Sequence, residues 1–168
     1  AAQRRALELD PEFNPARVQL AQDLLRLGQE AEGWQMAEQA HDKDGYDTTL
    51  FNLLQLKDSL GRFTTLKSPH FQVRMEKHEA AVYGQRVLAL LEESWEELTP
   101  RFEFSPELPV MVEIYPRADD FAVRTFGIPD VSGFLGVCFG RVVTANSPAS
   151  RRDHPTSWES VLLHEFCH

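Results

Sequence analysis

Near the end of the chain, Val161-Leu162-Leu163-His164-Glu165-Phe166-Cys167-His168 holds two histidines four residues apart, with a glutamate directly after the first. On a helix turning roughly 100° per residue, His164 and His168 lie about 40° apart around the axis and Glu165 about 60° beyond His168. Two imidazoles then converge on one point, as a zinc ion (Zn2+) requires, with a carboxylate beside them that is too far round to ligate comfortably. Neutral imidazoles would donate ring nitrogens to the metal. The carboxylate would take a proton from water as it attacks a carbonyl. The spacing therefore nominates His164 and His168 as metal ligands, Glu165 as general base, and peptide-bond hydrolysis as the chemistry. A catalytic zinc needs three protein ligands. Cys138, Asp153 and His154 lie upstream as weaker candidates, and a ligand following His168 is the stronger expectation.

The motif needs a helix to carry it. Thr156-Ser157-Trp158-Glu159 reads as a capping box with Thr156 as N-cap, after Pro155 has blocked any earlier start. Val161, Leu162, Leu163 and Phe166 supply the apolar side of a buried helix. On that helix Cys167 points about 100° from His168 and reads as a small buried apolar residue. His41, His70 and His78 are scattered and flanked by Lys, Asp or Pro, so they are expected at the surface. Trp34, Trp95 and Trp158 fall at core spacings of helices.

Upstream, residues 1–62 read as helices alone: the end of one at Ala6–Pro11, then Pro15–Leu27, Glu30–His41 and Thr48–Leu60, with Gly28 and Gly61 as stops. Composition changes at Arg62. Phe71–Glu76 alternates with period two, as a half-buried strand does. Glu79–Leu98 is an amphipathic helix with Val82, Val87, Leu88, Leu91, Trp95 and Leu98 toward a core, ended by Pro100. Pro109–Tyr115 is a second strand, with Val110, Val112 and Ile114 on one face. Ala118–Thr125 is a short helix, and Phe134–Phe139 with Arg141–Ala145 form a hairpin about Gly140. The fold class is α+β: helical hairpins in residues 1–62, then a small mixed sheet with helices in residues 63–168.

Two resemblances follow from these residues. Ala6…Asp10 recurs as Ala40…Asp44 at a spacing of 34, and Leu27-Gly28 recurs as Leu60-Gly61 at 33. With Asp10-Pro11, Leu24 and Ala37, this resembles tetratricopeptide repeats, although the tryptophan and tyrosine of that family's pattern are not in their expected places. Residues 68–168 resemble the N-terminal lobe of gluzincin metallopeptidases, specifically the peptidase MA-like domains that follow such repeats in bacteria. That resemblance rests on His164-Glu165-Phe166-Cys167-His168, on Val161, and on the glycine-punctuated run Gly133–Asn146. It implies Zn2+ on His164 and His168, Glu165 as base, and a third ligand that is a glutamate on a later helix. It also implies that the hairpin gives an edge strand on which an extended peptide lies by strand addition, with Gly133, Phe134, Leu135, Gly136 and Val137 against the substrate.

Composition narrows the partners. A net charge of -9 argues against nucleic acid or an anionic membrane surface, which need clustered Lys and Arg. No apolar run approaches the ~20 residues of a membrane span. With only Cys138 and Cys167, a disulfide framework is not expected. The chain begins without Met in mid-repeat and stops on a candidate ligand, so both ends read as cut, and the piece alone is expected to hydrolyse nothing. Compartment is not legible. Two functions of different class remain: a zinc peptidase acting on a peptide or protein that the repeats help recruit, or a non-catalytic repeat scaffold with a relic zincin-like half.

Overall fold

Both faces of a five-stranded sheet are covered by helices, and the sequence shows why for one face more plainly than for the other. The computed structural model describes residues 2–151 and 157–168, so Asp153, His154, Pro155 and Thr156 lie outside the described residues. The elements run α1 (Ala2–Leu9), α2 (Asn14–Arg26), α3 (Glu30–Lys43), α4 (Thr48–Ser59), β1 (Phe63–Lys67), β2 (Phe71–Glu76), α5 (Lys77–Phe102), β3 (Val110–Tyr115), α6 (Ala118–Phe126), β4 (Gly136–Phe139), β5 (Val142–Asn146) and α7 (Trp158–Cys167). The order across the sheet is β1-β2-β3-β5-β4, with β4 and β1 at the two edges. β2, β3 and β5 run parallel, while β1 and β4 pair antiparallel with their neighbours. The mixed α and β content agrees with the α+β expectation.

Alternation builds the first layer. Phe71, Val73 and Met75 of β2, Val110, Val112 and Ile114 of β3, and Val143 and Ala145 of β5 share one buried cluster with Val87, Leu88 and Leu91 of α5 and Leu162 of α7. Fully burying such side chains stabilises the fold by about 1.5–3 kcal/mol each. α5 is longer than its sequence signals suggest. Glu76 caps it by accepting from the His78 and Glu79 amides, and it continues past Pro100 to Glu103, which closes it at φ 51°. A proline in the last turn removes one backbone hydrogen bond, too little to stop a 26-residue helix already seated on the sheet. Val82, expected in the core, is 80% exposed.

The opposite face of the sheet meets the helical half. Leu25, Trp34, Leu53 and Leu56 pack with Phe63, Tyr115, Phe121 and Val123 in a second cluster, and Ala21, Ala37, Ala40 and Leu50 form a third among α2, α3 and α4. Secondary structure changes from helix to strand at Leu60–Arg62, but packing continues across that point. β1 has no counterpart in the sequence reading. Only Phe63 of its five residues is buried, so no period-two signal exists to find.

Candidate metal and base site

Three successive turns of α7 are tied down. Ser157 is the N-cap, and its Oγ accepts from the Ser160 amide at 3.3 Å, while Thr156, the N-cap expected from the sequence, lies outside the described residues. Trp158 packs on Tyr83 with ring centroids 5.3 Å apart, and Glu159 accepts two hydrogen bonds from Arg86 at 2.9 and 3.2 Å. Leu162 is buried in the sheet cluster, and Phe166 meets Phe71 edge-on at 5.2 Å. Residues 158, 162 and 166 thus form the face that seats the helix. Leu163, expected in the core, falls off this face and is 38% exposed.

His164 and His168 leave the opposite side. Their Nε2 atoms are 3.2 Å apart and their ring planes are inclined by 88°. Two zinc–nitrogen bonds of about 2.05 Å meeting at a tetrahedral angle would place the nitrogens about 3.3 Å apart, so the pair fits one shared ion. Among the described residues no group of three His, Cys, Asp or Glu is gathered to hold a metal. Cys138 is not brought into such a group; Asp153 and His154 lie outside the described residues. Cys167 is exposed rather than buried, because it stands on the side of α7 away from Leu162 and Phe166.

Glu165 is the one member of the motif that is buried, at 8% exposure. It turns toward β4, and a Cβ placed on Gly136 would lie only 2.5 Å from Glu165 Cγ. Burial pushes the Glu165 carboxyl above its ordinary value, opposed by the charges of His164 and His168. Burial also raises the Cys138 thiol, helped by the charge of Glu165.

The hairpin begins later than its sequence suggests. Gly133, Phe134 and Leu135 precede the strand, while Gly136 and Val137 lie in β4 itself. The two-residue loop, Gly140 at φ 63° and Arg141, joins β4 to β5. The first of the two runs is therefore the edge. The Asn146 amide donates to the Leu135 carbonyl at 2.9 Å, which fixes the phase of the ladder. Hydrogen-bonded and open pairs alternate in an antiparallel ribbon, so Val137 and Phe139 bond inward to β5, whereas the backbone groups of Gly136 and Cys138 point to the open edge. Below this edge, a cavity of about 530 Å3 is lined by Cys138, Phe139, Phe166, His168 and Phe102 among others.

A second polar cluster escaped the sequence reading. Arg74 donates to Glu30 at 2.6 and 2.7 Å and to Glu113 at 3.2 Å, Arg124 Nε lies 2.8 Å from Glu113, and the Tyr115 hydroxyl donates to Glu113 at 3.1 Å. Burial opposes the Arg74 charge, and the Glu30 and Glu113 carboxylates more than reverse that, holding the guanidinium above its ordinary value. The signal for Glu113 was its place in an alternating strand, which reads as solvent-facing. His70 likewise is not a plain surface residue: its Nδ1 is 2.6 Å from Glu92 and its ring stacks on Trp95 at 4.2 Å.

No protein family, curated protein or solved structure matches this chain. Among the described residues no helix is long and apolar enough to cross a membrane.

Proposed function

We propose that the chain carries the two-histidine and base portion of a zinc-dependent peptidase of the gluzincin kind. The observation that supports this reading is the convergence of His164 and His168 Nε2 to 3.2 Å beside a buried glutamate and an open strand edge. Bound there, Zn2+ would polarise a peptide carbonyl. His164 and His168 hold the metal, with a third ligand, by resemblance a glutamate, following His168 in sequence. Glu165 accepts the proton of the attacking water and passes it to the leaving amine, a task suited to a carboxylate whose proton affinity burial has raised. β4 orders an extended peptide through the backbone groups of Gly136 and Cys138. In the same reading the helices of residues 1–62 are tetratricopeptide-like and offer the surface outside their contact with the sheet, where Leu9 and Tyr46 are exposed, to a protein partner.

The test is a pair of variants in the full-length protein. Zinc titrated against a chromogenic chelator should bind at least about tenfold more weakly to His164→Ala. Glu165→Gln should keep zinc and lose about 10²–10⁴-fold in hydrolysis of a fluorescence-quenched peptide library. Hydrolysis at the wild-type rate in Glu165→Gln would sink the mechanism. Loss of nothing measurable in either variant would favour a scaffold.

A further inference from the structure

Gly136 sits where β4 runs closest to α7, and the three atoms nearest to a Cβ built there are Cγ, Cδ and Oε1 of Glu165, at 2.5, 3.0 and 3.0 Å. The backbone does not itself demand glycine at this point, since Gly136 is not among the residues of positive φ. The closest obstruction to a side chain is Glu165. α7 has little freedom to lift away: Leu162 is buried beneath it, Phe166 packs on Phe71 and Trp95, and Glu159 is held by Arg86. A methyl group at 136 would therefore displace the Glu165 side chain and leave the helix, with both exposed histidines, where it is.

We infer that Gly136 is a positioning residue: its missing side chain lets the carboxylate of Glu165 lie flush against the open backbone edge on which a peptide would pair. This rests on the peptidase reading for its consequence, but not for its geometry. The two are tested separately. In the full-length protein, Gly136→Ala should lower kcat about 10²-fold, the scale of a displaced general base, with KM and the zinc Kd unchanged. In a Glu165→Gln background the same substitution should lower kcat no further, because the group it acts through is already gone. A Gly136→Ala protein with wild-type kcat, or one that further slows Glu165→Gln, overturns the inference. A wild-type protein that hydrolyses nothing sinks the peptidase reading alone, and urea denaturation of the 168-residue chain then decides. There the loss of midpoint caused by Gly136→Ala should shrink at least about twofold in a Glu165→Ala background, where the obstructing Cγ is absent. An equal loss in both backgrounds overturns the inference.

Discussion

The two faces of the sheet are built on different physics. Toward α5 and α7 the strands present Phe71, Val73, Met75, Val110, Val112 and Ile114, a layer of apolar side chains at whose margin Glu165 of α7 is buried against β4. Toward the helical half, the alternate positions of the same strands present Arg74, Glu113 and Tyr115, and Arg124 of α6 joins them at 3% exposure. One face is held by area and tolerates modest changes of shape. The other joins an apolar cluster of Leu25, Trp34, Leu53, Leu56, Phe63, Phe121 and Val123 to a set of charges that share Glu113, with Arg124 Nη1 left without a hydrogen-bond partner among the described residues. The candidate site belongs to the first face, since α7 rests on it, and the helical half is joined through the second.

That contrast is open to experiment. Glu113→Ala leaves the buried Arg124 and the half-buried Arg74 without their shared carboxylate, and should cost about 3–5 kcal/mol in urea denaturation. Replacing Glu113 and Arg124 together by leucine should cost distinctly less. If the single and double variants were equally destabilised, the charges would not be acting as a set. On the face toward α5 and α7, Leu162→Ala should cost about 2–4 kcal/mol through the cavity it leaves, and should weaken zinc binding only as far as α7 loosens. A small loss of stability with a large loss of zinc affinity would break the assignment of Leu162 to packing.

The smallest effect is expected at the sheet's rim. Burial disfavours the charge of Glu92, but hydrogen bonds from the Ser68 hydroxyl and from His70 outweigh it and hold the carboxyl below its ordinary range. The stabilisation from a carboxyl so depressed is complete above the unfolded carboxylate range, near pH 4 and upward, and is lost as pH falls through the lowered value. The stability gap between wild type and Glu92→Gln, followed by thermal denaturation, should therefore narrow on acidification below about pH 4. A gap that stayed constant to low pH would remove Glu92 from the network.

The same contrast explains which parts were legible in the sequence. Period-two apolar runs at 71–76 and 110–115 and the periodicity of α5 announce the face toward α5, because hydrophobic spacing is local information. The His164-Glu165-x-x-His168 spacing is local too, and the helix brings its two ring nitrogens together. Glu113 carries no such mark: in Val112-Glu113-Ile114 it reads as a solvent-facing position, and only the arrival of Arg124 and Arg74 from elsewhere in the chain makes it interior. The order of the hairpin strands, the seat of Glu165 under Gly136 and the pairing of His70 with Glu92 are set by tertiary contacts in the same way. β1 was invisible because pairing, not burial, defines it.

One of those contacts reaches further. The Arg74–Glu30 pair fastens the first turn of α3 to the middle of β2, while Arg124 donates to the Leu25 carbonyl and Arg26 to that of Thr125. These bonds tie the helical half to the part of the chain that carries the sheet and α7 in three places. Under the proposed reading, a partner bound to the helical half would therefore sit on the same connected body as His164 and His168.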